Sequence, residues 1–152
     1  MNKKIIYCII ILLCIFIVTG CKKKIIENNN QSNTNDNYKE VISSMKITID
    51  NELYIINLEE NETVSAFINL LPIEFNMNEL NGNEKYYYLD KELPTNSINV
   101  KHINKGDVML YGNNCLVIFY KSFDTTYSYT KIGHIDNLKD LDSNNIKVKI
   151  EK

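Results

Sequence analysis

The chain has 152 residues, 44% of them hydrophobic and 24% charged, which suits one globular domain of ordinary size and excludes disorder throughout. It holds 17 Lys, no Arg and 19 acidic residues; without residues 1–20, which carry Lys3, Lys4 and no acid, 15 basic groups remain and the net charge is −4. A mildly acidic body with no guanidinium argues against nucleic acid, where Arg forks and basic patches supply contact and affinity.

Lys3 and Lys4 open a short positive start, and Ile5 to Val18 is then an almost unbroken apolar run. That length fits the core of an export signal and is short of the roughly 20 residues a membrane-spanning helix needs. The run ends in Val18-Thr19-Gly20-Cys21. An aliphatic residue, two small residues and Cys in this order resemble the lipobox of bacterial lipoproteins. The resemblance implies cleavage after residue 20, a thioether from Cys21 to diacylglycerol, and an acyl chain such as palmitate on the new amino terminus. Each buried CH₂ contributes roughly 0.8 kcal/mol, and two or more chains anchor stably where one does not. Cys8 and Cys14 leave with the leader, and Cys115 is then alone in the domain, so no intradomain disulfide is expected.

Residues 21–44 read as a lipidated Cys and a polar tether. Lys22-Lys23-Lys24 precedes an Asn- and Ser-rich stretch, and Asn28 to Asn37 lacks any apolar residue. Such a segment cannot bury enough surface to fold. As a flexible coil, residues 22–44 span on the order of 25–30 Å.

From Met45 to Lys152 the pattern is that of strands. Met45, Ile47 and Ile49 alternate with polar residues, and Asp50-Asn51 forms a two-residue turn into Leu53–Leu58. Val64, Phe67, Ile68 and Leu71 fall on one helical face, with Asn61 as N-cap, Glu62 in the first turn and Pro72 as the stop. Alternation resumes at Ile73, Phe75 and Met77, and Asn81-Gly82 turns into Lys85–Leu89. Pro94 to Lys101 reads as loop. Lys105-Gly106-Asp107 leads into Val108–Tyr111, and Gly112-Asn113-Asn114 turns into the apolar run Leu116–Tyr120, the best central strand. Thr126–Ile135 is an aromatic strand with Gly133 as a bulge, and Ile146, Val148 and Ile150 mark the last strand. About eight strands and one short helix predict a mainly β fold, a small barrel or sandwich.

The ordered stretches Leu80-Asn81-Gly82-Asn83-Glu84-Lys85-Tyr86, Leu93-Pro94-Thr95-Asn96, Lys105-Gly106-Asp107-Val108-Met109-Leu110-Tyr111-Gly112, Phe119-Tyr120-Lys121-Ser122-Phe123 and Tyr127-Ser128-Tyr129-Thr130-Lys131-Ile132-Gly133 resemble the bacterial cyclophilin-like domain family. The likeness spans nearly all of residues 45–152. It implies a small closed cyclophilin-like β-barrel of about eight strands with one short helix. That family has no settled activity, so the resemblance names a fold more than a function. True cyclophilins, similar in barrel shape, are peptidyl-prolyl isomerases that rely on an Arg beside an apolar proline pocket. This chain has no Arg and no Trp, and Lys does not replace a bidentate guanidinium.

Aromatic residues are dense in the domain, and Tyr combines apolar area with a polar tip in a way that suits pockets and interfaces. Their competing role is to brace strands and fill the core. Alternation predicts one face for Tyr127 and Tyr129, and one for Tyr86 and Tyr88. Lys121 and Ser122, as strand neighbours, point apart and read as a structural strand end rather than a nucleophile pair. His102 and His134 lack Cys or carboxylate partners at metal spacing, so no metal site is expected. Cys115 beside an apolar run reads as a small buried hydrophobe. No catalytic set, phosphate loop or cofactor motif stands out.

The expected protein is a lipid-anchored cyclophilin-like barrel, at the outer side of the cytoplasmic membrane or facing a periplasm. It acts as a non-catalytic module that binds a peptide or small molecule in a groove lined by Tyr111, Phe119, Tyr120, Phe123, Tyr127 and Tyr129. The rival readings are a weak prolyl isomerase and a structural partner in an envelope complex.

Overall fold

The computed structural model describes residues 42–141 and 144–152. The leader, Cys21 and the tether up to residue 41 lie outside the described residues. The described chain runs through β1 (Ser44–Ile49), β2 (Glu52–Leu58), α1 (Glu62–Ile68), β3 (Ile73–Leu80), β4 (Glu84–Tyr88), β5 (Ile98–Asn99), β6 (His102–Ile103), β7 (Asp107–Tyr111), β8 (Cys115–Phe119), β9 (Phe123–Asp124), β10 (Ser128–Ile135) and β11 (Ile146–Glu151).

Eight of these strands pair antiparallel in the order β2-β1-β11-β3-β4-β8-β7-β10, and β10 pairs back onto β2. The sheet is therefore a closed barrel, and closure removes the unpaired strand edges of an open sheet. The turns follow from residue types. Asp50 and Asn51 both take positive φ, 45° and 75°, as the tightest hairpin requires. Asn81 and Gly82 do the same in a three-residue connection that joins Leu80 to Glu84. That register starts β4 at Glu84, one residue earlier than the apolar pattern suggests.

Period-two alternation fills the barrel. Met45, Ile47 and Ile49 of β1, Phe75 and Met77 of β3, Leu116 and Ile118 of β8, and Ile146, Val148 and Ile150 of β11 meet in one cluster. Full burial of such a side chain contributes roughly 1.5–3 kcal/mol. The helix adds Val64 and Phe67 to the same cluster, while Ile68 and Leu71 are partly buried against it. Asn61 caps α1 by accepting the Val64 amide at 2.9 Å, and its Nδ2 donates to Lys131 O at 2.9 Å. One side chain thus starts the helix and ties it to β10.

One small strand departs from the expected loop and a second directly follows that loop. Ile98–Asn99 pairs with Ser128–Tyr129, and His102–Ile103 pairs with Phe123–Asp124. Two-residue strands carry too little periodicity to be read from a sequence that also looks like loop.

The bulge at Gly133 makes barrel closure possible. The β10–β7 register shifts between Lys131 and Gly133, and Gly133 faces Leu58 of β2. A Cβ on residue 133 would lie 2.3 Å from Asn57 O and 2.8 Å from Ile56 Cγ2. The first obstacle is backbone and cannot swing aside. Gly133→Ala is expected to cost about 2–3 kcal/mol in urea unfolding, the upper range of overpacking. A loss within about 0.5 kcal/mol would mean that the β2–β10 seam is loose.

Candidate functional site

The alternation that fills the barrel also builds its outer face. On β8, Leu116 and Ile118 point in, so Cys115, Val117 and Phe119 point out; on β7, Val108 and Leu110 point in and Met109 points out. Met109, Cys115, Val117, Phe119 and Tyr129 join Ile103 in a second buried cluster, with Tyr86, Val100 and Phe123 packed on it. The short β6–β9 ribbon contributes Ile103 and Phe123. A barrel strand buried on both faces explains why Cys115–Phe119 is apolar at every position.

Aromatic rings run across this face in edge contacts. Phe119 meets Phe123 at 5.7 Å and Tyr129 at 5.4 Å between centroids. Tyr129 meets Tyr111 at 5.6 Å, and Tyr111 meets Tyr127 at 6.1 Å and 90°. Tyr86 and Tyr88 share one face of β4, 5.8 Å apart, as alternation predicts. Such pairs contribute about 0.5–1.5 kcal/mol each beyond area burial.

Five of the six expected groove residues therefore meet. Tyr120 does not. It follows Phe119 directly, and successive residues of a strand face opposite ways, so its ring enters the main core and its hydroxyl donates to Glu79 Oε1 at 2.8 Å. Burial, then the hydrogen bond to Glu79, pushes this hydroxyl up to about 12. Phe119 is fully buried and supports the groove from beneath without facing it. Tyr111, Tyr127 and Tyr88 are 46%, 61% and 59% exposed, whereas Tyr129 is 5% exposed; the first three are rims and the last is a floor.

Between them lies a groove with two lobes. One, of about 390 Å³, is bounded by Tyr86 and Tyr88 on one side and by Tyr111, Tyr127 and Tyr129 on the other, over Cys115 and Val117. The other, of about 350 Å³, continues past Phe123 along Asp124, Thr125 and Thr126. Asn81, Glu84, Tyr127 and Tyr129 belong to both. The size is that of small-molecule sites. A wider hollow of about 580 Å³ beside α1, near Ile42 and Lys152, has no aromatic lining.

Sequence reading missed Glu84 at the junction of the lobes. It is only 9% exposed. Burial, then the charge of Glu79, raises its carboxyl above the ordinary value, partly offset by a hydrogen bond from Asn81. Burial, with Glu84 as the next cause, also raises Tyr129 to about 12. Glu84-Lys85-Tyr86-Tyr87-Tyr88 has no polar and apolar alternation, so Glu84 reads as a turn residue until the three-residue connection is known.

The other singled-out residues have structural roles. Cys115 is buried, and burial with the Glu84 charge raises its thiol, which keeps it unreactive. Ser122 Oγ accepts the Lys105 amide at 2.9 Å, a strand-end contact. His134 Nδ1 lies 2.9 Å from Asp107 Oδ1, and His102 Nδ1 lies 2.6 Å from Asp124 Oδ1. Among the described residues, no group of three or more His, Cys, Asp or Glu could hold a metal, and no helix is long and apolar enough to cross a membrane.

Comparison with known proteins agrees with this geometry. No curated protein matches the chain. The solution structure of a hypothetical protein from Archaeoglobus fulgidus is similar with a TM-score of 0.53 and 21% identity, over 76% of this chain and 98% of that one. At that identity the likeness concerns the fold. A family model described as "Cyclophilin-like family" matches residues 47–151. That stretch runs from within β1 to the end of β11 and contains the whole groove, so the chain belongs to the cyclophilin-like family.

Proposed function

We propose that the barrel is a non-catalytic binding module that takes a ligand in the aromatic groove on its outer face. Cys21 and the tether of residues 22–44 hold it at the outer side of the cytoplasmic membrane, or facing a periplasm. The observation that carries the binding reading is the exposure of Tyr88, Tyr111 and Tyr127 around a buried floor. A ring placed only to stabilise the barrel gains nothing from facing water, and these three face it together. An isomerase reading is weaker because the lining residues include no guanidinium to hold a twisting proline amide. Val18-Thr19-Gly20-Cys21 supports the anchor.

The test begins with the full-length chain purified from its own cells and analysed by native mass spectrometry. Wild type is expected to carry an adduct that the Tyr111→Ala, Tyr127→Ala double variant lacks, with both melting within about 2 °C of each other. Unfolding of the double variant would make the rings core residues and end the groove reading. Labelled palmitate should enter wild type and not Cys21→Ala; label in both would refute the anchor.

A further inference from the structure

Resting on the groove reading above, we infer that the ligand is a small quaternary ammonium compound, its cationic head among the tyrosines and a polar tail along Asp124–Thr126. Three observations on the groove converge. First, Tyr86 and Tyr88 face Tyr111 and Tyr127 across the larger lobe, with Tyr129 beneath. Aromatic rings present negative faces, and several rings around one space attract a cation. Second, Glu84 lies at the junction of the lobes, more than nine-tenths buried. Third, neither lobe is lined by a Lys or His, so the lining charges are the carboxylates of Glu84 and Asp124. Asp124 already has a hydrogen-bond partner in His102 Nδ1 at 2.6 Å. Among the described residues, the amide of Asn81 is the group that offsets the burial of Glu84. The charge that would complete the site is positive.

The kind of cation follows from the walls. A primary ammonium brings three N–H donors that each need an acceptor on desolvation, whereas the floor of the larger lobe, at Cys115 and Val117, offers no oxygen and its walls are mainly tyrosine rings. A quaternary head has no donors to satisfy and presents methyl groups to the rings. The larger lobe, about 390 Å³, has room for such a head. The adjoining lobe has Thr125, Thr126 and Asn83 to receive a hydroxyl or similar tail.

The electrostatics predict the pH response. The groups that Glu84 interacts with are Glu79 from β3, Asn81 from the turn, Cys115 from β8, Tyr120 just after β8 and Tyr129 from β10. Burial and Glu79 favour its protonated form in the free protein, and a bound cation favours the carboxylate. Binding therefore releases a proton near the raised pKa of the free carboxyl. Affinity rises with pH through the interval above the ordinary Glu value and levels off once Glu84 is ionised without ligand.

The chain has 10 Tyr and no Trp, and five of those Tyr line the groove, so tyrosine emission carries a groove signal that the Tyr127→Ala variant identifies. The full-length chain is titrated with tetramethylammonium, with choline and with 3,3-dimethylbutan-1-ol, the uncharged carbon counterpart of choline. Saturable binding of both cations is expected, with choline at least tenfold tighter than the alcohol and Glu84→Gln at least tenfold weaker for choline. Glu84→Gln keeps shape and removes only charge, and Tyr127→Ala, at an exposed ring, is the second variant should the first fail to fold. Equal binding of the alcohol and choline would overturn the cation and leave the groove as an apolar ligand site. A lysine peptide binding tenfold more tightly than choline would overturn the small quaternary ligand in favour of a peptide. No cation binding, with a native adduct still present, would overturn this inference alone; no adduct and no binding would overturn the groove reading as well.

Discussion

Replacing Glu79 by alanine is expected to lower the stability of the barrel by about 3 kcal/mol, the low end of the range for breaking a buried ion pair from one side. Glu79 and Lys85 are directly opposed on β3 and β4, and both point into the barrel. Lys85 is fully buried, its Nζ 2.6 Å from Glu79 Oε2, 2.6 Å from Asn144 O and 5.2 Å from the Tyr120 ring centre. The other Glu79 oxygen accepts from Tyr120 at 2.8 Å and from the Gly82 amide at 2.7 Å. Removal of the carboxylate takes a counter-charge at 2.6 Å from a fully buried ammonium and the acceptor from a tyrosine hydroxyl. Tyr120→Phe removes one neutral donor and should cost only about 1 kcal/mol. Glu79→Leu with Lys85→Met removes both charges and should recover most of the loss.

Acid provides an independent check on that network. Burial works to raise the Glu79 carboxyl, but Lys85, Tyr120 and Gly82 outweigh it and hold it below the ordinary value. A carboxyl lowered by folding stabilises the protein above its unfolded pKa, and the contribution fades as pH falls through the folded one. The gap between wild type and Glu79→Gln in thermal unfolding should therefore be open at pH 7. It should narrow below about pH 4, the unperturbed Glu range. A constant gap from pH 7 to pH 3 would show that the carboxylate does not ionise into this pair.

How far the sequence could be read depended on which period each residue obeyed. β1, β3 and β11 alternate cleanly because their outer faces meet water, and they were legible to within a residue or two. Asn61, Asp50-Asn51 and Gly133 were legible because helix caps, tight hairpins and bulges admit few residue types. The closed barrel came from family resemblance, because strand count alone does not separate a barrel from a sandwich. The site was half legible. Tyr111, Tyr127 and Tyr129 stood out by density, but a run such as Phe119-Tyr120 cannot show which ring faces which side when both faces of the strand are covered. Only the register supplies that, and it sends Phe119 to the packing beneath the groove and Tyr120 to the core. Lys85 was illegible for a related reason. A lysine in a strand reads as solvent-facing, and what buries it is Glu79 across the ladder, a partner that no local pattern announces.

Phe119→Ala is expected to cost about 3–4 kcal/mol, in the range for truncating a fully buried aromatic, and its effect should divide the molecule into two cores. Phe119 has no exposed surface, yet it belongs to the outer cluster with Met109, Val117 and Tyr129 and not to the barrel interior. Its ring holds Tyr129 edge-on at 90° and Phe123 at 62°. Truncation leaves both without support, so the groove floor should loosen while Leu116 and Ile118, on the opposite face of the same strand, keep the barrel closed. Phe67→Ala should cost a similar amount by opening a cavity in the main core, where α1 meets the barrel. The two variants can be matched in stability by urea unfolding and compared, while still folded, by tyrosine emission and by native mass spectrometry of the bound adduct. Loss of the adduct in Phe119→Ala and its retention in Phe67→Ala would identify the outer cluster as a foundation laid for the groove. Equal retention in both would reduce that cluster to extra packing on one side of a barrel, and the exposed tyrosines above it would lose their supporting argument.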